Sequence, residues 1–151
     1  MSEKTLFEKI VDREIPAYII WEDDQYCAFL TPFANTPGVT VVAPKKNPGA
    51  DVFNLSDEQI AGLMVAAKKV ANLLKSGLGV ERVALVFEGE AVPHVHVKLY
   101  PMHDMQAERG HPQEVFFEKY PGFITTQEGP KMDDAQLQAI QVKLKAASHE
   151  N

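Results

Sequence analysis

From Ser56 onward, apolar side chains return every three to four residues: Ile60, Leu63, Met64, Ala67, Val70, Ala71 and Leu74. That period predicts a long amphipathic helix whose stripe belongs to a core. Ser56-Asp57-Glu58-Gln59 has the form of a capping box at its start, and Gly77 is the expected stop. A shorter helical pattern (Leu6, Ile10, Val11) spans Thr5 to Ile15 and is expected to end at Pro16.

Elsewhere the pattern is that of strands. Ala17–Trp21 and Tyr26–Thr31 are β-branched and aromatic, and Glu22-Asp23-Asp24-Gln25 between them reads as a hairpin turn. Thr36-Pro37-Gly38 turns the chain into a third strand, Val39–Ala43, stopped by Pro44. Lys45–Asn54 reads as loop, Glu81–Phe87 as a fourth strand, and Pro93–Tyr100 as a fifth after the turn Glu88-Gly89-Glu90. Short connections favour antiparallel neighbours, so the expected class is α+β, with helices covering one sheet face. The core spans about residues 5–101, and 102–151 reads as an extension of the same single domain. In that extension Phe116, Phe117, Tyr120 and Phe123 are expected to be buried, and Asp133–Ala147 to form a final helix with Leu137, Ile140 and Leu144 in register.

Composition narrows the functional classes. Of 151 residues, 45% are apolar and 24% charged, as in ordinary globular proteins. No stretch approaches the roughly 18 apolar residues of a membrane span, and Met1-Ser2-Glu3-Lys4-Thr5 lacks the order of a signal peptide; a cytoplasmic protein with no membrane partner is expected. A net charge of −6 with no basic stripe argues against nucleic acid as a partner. The single cysteine, Cys27, reads as a buried small hydrophobe.

The chemistry concentrates in Pro93-His94-Val95-His96-Val97-Lys98-Leu99-Tyr100-Pro101. A strand's alternation puts His94, His96, Lys98 and Tyr100 on one face and Val95, Val97 and Leu99 on the other. Two imidazoles and an ammonium in one row suit either attack on phosphorus or metal binding. In a metal site, His103, His111 or Asp104 would supply the further ligand.

This segment resembles the signature of the histidine triad (HIT) family of nucleotide hydrolases and transferases, His-φ-His-φ-His-φ-φ, with Lys98 at the third histidine. The resemblance extends over Leu6–Ile10, Glu14-Ile15-Pro16-Ala17, Phe29-Leu30, Pro37-Gly38, Val41–Lys46 and the helix from Ser56 to Leu74. It implies a five-stranded antiparallel sheet with the long helix across it. It also implies a homodimer formed through that helix and the fourth strand, a small-molecule nucleotide substrate, and no cofactor. Val39 stands at a position usually histidine, Thr31 at the residue that commonly contacts the ribose, and Gly89-Glu90-Ala91-Val92 in place of a phosphate-binding Gly-Gln-Ser/Thr. Where zinc-bearing members have cysteines, this chain has Thr5 and Glu8, so a structural zinc is not expected.

Carried onto these residues, the family's mechanism makes His96 the nucleophile at an α-phosphorus, with His94 supporting it. Lys98 is expected to depress the His96 pKa and to neutralise phosphoryl charge. Ile20, Phe29, Leu30, Thr31 and Val92 are the expected substrate contacts, and Glu90 is read as a solvated turn residue. The expected activity is hydrolysis or nucleotidyl transfer on a nucleoside or dinucleoside polyphosphate or phosphoramidate. Because Lys98 is a poorer proton donor than histidine near neutrality, phosphoanhydrides are expected to be preferred over alkyl-amine leaving groups. The alternatives are a nucleotide-binding or scaffold protein of impaired activity and a metal-dependent hydrolase using His94 and His96. A loop from Met102 to Gly122, with His103, Arg109 and His111, is the expected lid over His96.

Overall fold

The computed structural model describes residues 3–105, 114–125, 131, 133–136 and 138–139. The chain divides into two compact units, Met1–Ala107 and Glu108–Asn151.

The first unit begins with helix α1 (Leu6–Val11), which Thr5 and Glu8 start with a reciprocal capping box. It stops before Pro16, in a Schellman turn. Arg13 adopts φ 63°, its N–H bonds to the Ile10 carbonyl, and the Glu14 N–H bonds to the Lys9 carbonyl at 2.8 Å. Lys4 pairs with Asp12 and Glu14, and Arg13 with Glu22, which ties the turn down.

Five strands follow in an antiparallel sheet of order β1-β2-β3-β5-β4: β1 (Ile19–Glu22), β2 (Tyr26–Leu30), β3 (Thr40–Pro44), β4 (Val83–Val86) and β5 (Val97–Pro101). Helix α2 (Asp57–Leu78) lies across β2, β3, β5 and β4. The expected class, an α+β sheet with the long helix across it, is what the structure shows. Ala28, Val42, Val97 and Leu99 meet Leu63, Ala66, Ala67, Val70 and Leu74 of α2 in one buried cluster. Met64, expected in the stripe, is 41% exposed, and Ala66 takes the buried place. A second cluster on the opposite sheet face joins Phe7 and Ile10 of α1 to Cys27, Phe29, Val41 and Ala43.

The fifth strand is shorter than its alternation suggests, starting at Val97 and not at Pro93. Its last ladder partner on β3 is Val42, opposite Val97. Continuing the register would set Pro44 against Val95, and proline has no N–H for the ladder. A loop expected to be irregular, 45–54, also holds a 3-10 turn at Val52–Asn54, capped by the Asp51 carboxylate on the Phe53 N–H.

In the second unit Phe117 and Phe123 meet edge to face, 5.7 Å between centroids. Their surroundings differ from the expected burial: Phe116, Phe117, Tyr120 and Phe123 are 42–61% exposed. Asp133 and Gln136 cap one another, which agrees with a helix starting at Asp133. Residues 134–136 and 138–139 are helical, and Leu137, Ile140 and Leu144 lie outside the described residues.

Gly77, the expected helix stop, is inside α2 with open space where a Cβ would stand, and Gly79 is the cap, at φ 67°. The two glycines should therefore respond oppositely to alanine. Gly77→Ala should stabilise by up to about 1 kcal/mol through helix propensity. Gly79→Ala should cost about 1–2 kcal/mol through left-handed strain. Urea midpoints moving in the same direction would contradict this placement of the helix end.

Candidate functional site

The site is built where the chain leaves the sheet just before β5. Pro93 to His96 are held by the loop after β3. The Val95 N–H donates to the Gly49 carbonyl at 2.7 Å, and Asn47 Nδ2 donates to the Pro93 carbonyl at 2.9 Å. Asn47 Oδ1 in turn accepts the Gly49 N–H, so one asparagine braces both segments. The His94 N–H folds back on the Val92 carbonyl at 2.7 Å.

This splint changes the environment expected for the histidines. A half-solvated strand face would leave them wet, yet His94 is 0% and His96 4% exposed. Phe7 packs on both rings, edge-on to His96 at 4.9 Å between centroids and tilted on His94 at 5.5 Å. Burial depresses both imidazole pKa values below the ordinary histidine value, since each ring loses hydration that its charged form needs. At His96 the bond to the His94 carbonyl opposes the fall, Lys98 adds to it, and Glu88 opposes it. Lys98 thus acts in the expected direction, but burial is the larger cause.

Hydrogen bonds assign the tautomers. His94 Nε2 lies 2.8 Å from the Pro44 carbonyl, which can only accept, so in the neutral ring Nε2 carries the proton. Nδ1 then accepts from the Thr5 hydroxyl at 2.8 Å. His96 Nδ1 lies 2.7 Å from the His94 carbonyl, so its proton is on Nδ1. His96 Nε2 keeps a free lone pair and has no hydrogen-bond partner among the described residues. His96 also lines a cavity of about 160 Å³ with Ala50–Phe53, Phe87–Gly89 and Val95. Gly89 is required there: it has φ 71°, and a Cβ would come within 2.6 Å of the Ala50 carbonyl oxygen.

Lys98, on β5 between Val41 and Val86, pairs with Glu88 at 3.7 Å. The carboxylate beside the site is therefore Glu88, while Glu90 is exposed, as a solvated turn residue should be. Of the expected substrate contacts, Phe29 and Val92 belong to the Phe7 cluster on the histidine side. Ile20 packs on the α2 side instead, past a register shift between Ile19 and Trp21. Leu30 pairs with Thr40, itself opposite Leu99, which also puts it on the α2 face. Thr31 lies beyond β2, its hydroxyl accepting from the Phe33 N–H. Val39 is buried at 3% exposure, a core residue.

His103 is at the other end of β5, roughly 15 Å of strand away, where Nε2 takes a proton-bearing contact of 2.9 Å with the Pro37 carbonyl. Neither it nor the adjacent Asp104 can join His94 and His96 around a metal, and no group of three potential ligands occurs among the described residues. The same placement removes His103 from the expected lid, whose Arg109 and His111 lie outside the described residues. Among the described residues no helix is long and apolar enough to cross a membrane. Sequence reasoning missed Phe7 as the aromatic wall and Thr5 as the partner of His94; the apolar phase of α1 pointed to the first, and nothing local pointed to the second.

Comparison with known proteins agrees with this geometry. An uncharacterised HIT-like protein of Mesomycoplasma hyorhinis is 36% identical over 104 residues, 66% of this chain and 93% of the relative. A purine nucleoside phosphoramidase of Escherichia coli is 30% identical over 120 residues, 73% of this chain and 99% of the relative. A solved HIT family structure from Bacillus subtilis superposes with a TM-score of 0.65 at 21% identity, over 95% of this chain and 96% of that one. A HIT family hydrolase from Legionella pneumophila gives 0.58 at 31% identity, over 68% and 96%. With a HIT domain model matching residues 12–105, across the sheet, α2 and both histidines, the chain belongs to the HIT family.

Proposed function

We propose that this protein is a nucleotide hydrolase or nucleotidyl transferase acting at an α-phosphate, with His96 Nε2 as nucleophile. The observation that carries the reading is the 2.7 Å contact from His96 Nδ1 to the His94 carbonyl, which leaves a neutral ring with its lone pair on Nε2 beside a cavity. The phosphoramidase relative and the hydrolase neighbour support the class of reaction.

Nε2 donates its electron pair to the α-phosphorus as the bond to the leaving group breaks, and that group departs with the bonding pair. A nucleotidyl-histidine results. Water, giving up a proton, then attacks phosphorus, and the P–N bond returns its pair to Nε2. Transfer replaces water by another acceptor. The growing positive charge on the His96 ring falls on Nδ1–H, where the His94 carbonyl already accepts. Lys98 lies near enough to offset charge on the phosphoryl oxygens. At about 160 Å³ the cavity is smaller than the roughly 300–1,000 Å³ of pockets that enclose a whole small molecule. It suits the reacting phosphoryl group, with the nucleoside held outside the cavity, where Val92 is half-buried and Phe29 lies in the core beneath. Two copies are proposed to pair through α2 and the edge strand β4, where Leu73, Leu78 and Leu85 are 38–43% exposed.

Three outcomes test the reading. Brief incubation with a dinucleoside polyphosphate or an aminoacyl adenylate should give a nucleotidyl mass adduct, lost in His96→Asn with at least a 10³-fold fall in turnover, on the order seen when a nucleophile is removed. No adduct and unchanged nucleotide affinity would favour a binding or scaffold role. Since only neutral His96 attacks, the acid limb of kcat/KM should lie below the ordinary histidine value near 6.5. Lys98→Gln should move that limb upward, because it removes a cation that disfavours imidazolium. Lys98→His should raise turnover of alkyl phosphoramidates relative to phosphoanhydrides, as an imidazolium gives a proton to a poor leaving group more readily than an ammonium does. An unaltered ratio of the two substrates would remove the proton-donor argument.

A further inference from the structure

We propose that Thr5, ahead of the first helix, is a positioning residue for the nucleophile, acting through His94; this rests on the reading of His96 given above. Its hydroxyl is 2.8 Å from His94 Nδ1, across 89 residues of sequence. The same oxygen accepts the Glu8 N–H at 3.3 Å and lies 3.2 Å from Glu8 Oε2.

Thr5 has one hydroxyl proton and two neighbours able to accept it. The Pro44 carbonyl decides between them. It fixes the proton of neutral His94 on Nε2, so Nδ1 presents a lone pair and the Thr5 proton goes to it. The Glu8 carboxylate does not depend on that proton, since the backbone N–H of Thr5 supplies one at 2.9 Å. His94 is thereby pinned at both ring nitrogens, by Thr5 on one side and Pro44 on the other.

Pinning the ring fixes the backbone that carries it. The His94 carbonyl is the acceptor for His96 Nδ1, and it belongs to a segment outside the strand ladder. With no ladder to orient that carbonyl, two restraints remain: the Val95 N–H of the same peptide bonds to the Gly49 carbonyl, and the His94 ring is held at both nitrogens, one of them by Thr5. A capping threonine would otherwise be valued only for the helix start, where aspartate serves as well.

That difference gives the test. Thr5→Asp keeps a helix cap but has no proton to donate at neutral pH, Thr5→Val loses both roles, and Thr5→Ser keeps both. Thr5→Ser should retain wild-type kcat. Thr5→Asp and Thr5→Val should lose tenfold or more in kcat with KM within about twofold. Imidazole nitrogen NMR, which does not depend on turnover, should show His94 leaving its Nε2–H tautomer in Thr5→Asp. In both variants the His96 Nδ1–H signal should lose its protection from exchange. A folded Thr5→Asp with wild-type kcat and an unchanged His96 Nδ1–H signal would overturn the proposal and leave Thr5 as a cap only. If wild-type protein has no activity, the function fails, and the NMR arm still decides the hydrogen-bond relay on its own.

Discussion

The bond from His96 Nδ1 to the carbonyl two residues earlier is the constraint around which the site is arranged. The ring meets that carbonyl where the backbone has left the strand, and the fold provides for the departure. Pro44 ends the β3–β5 ladder by lacking an N–H, and it then offers its own carbonyl to the His94 ring. Asn47 and Gly49 take up the polar groups of Pro93 and Val95 that the sheet no longer pairs. Buried backbone groups are costly to leave unpaired, by about 1–3 kcal/mol each, so this loop is as necessary to the site as the histidines.

The same arrangement sets the charge state. An imidazole removed from water and packed against Phe7 favours its neutral form, and the two rings are among the few polar side chains buried in the first unit. Lys98 is the residue whose charge the sequence marks as a pKa modifier. Its field at His96 is opposed by Glu88, which sits 3.7 Å from the ammonium. Desolvation is opposed by the bond to the His94 carbonyl and remains the largest cause, so burial governs the charge state of His96 and the cation refines it.

Much of the fold was legible because it is written in local pattern. The stripe from Ile60 to Leu74 and the Ser56 capping box gave α2, and turn residues between β-branched runs gave the sheet. Element ends were less legible: Gly77 and Gly79 look alike in sequence, and only the left-handed backbone at Gly79 marks the stop. The alternation after Pro93 suggested a strand because valines and histidines alternate there whether or not a ladder forms. Ile20 is among the expected substrate contacts, but a register shift in β1 carries it to the α2 side. Thr5 could not have been found this way, since its partner is 89 residues distant and a capping residue already explains itself.

The departures from the family signature therefore differ in consequence. Val39 lies within the core, and the hydrogen bonds that set the tautomers of His94 and His96 come from Thr5, Pro44 and the His94 carbonyl, so the absence of a histidine at 39 leaves them in place. Lys98 is different, because its charge acts on His96 and it differs from histidine in how readily it yields a proton. In the proposed reaction, nucleophilic attack requires only a neutral, oriented His96, which burial and the His94 carbonyl supply. Departure of a basic leaving group requires a proton as well, and that is the step the third position bears on. On the mechanism proposed above, the substitution would separate the two halves of the reaction: it would leave the attacking ring intact and shift the choice among substrates toward leaving groups that need no proton.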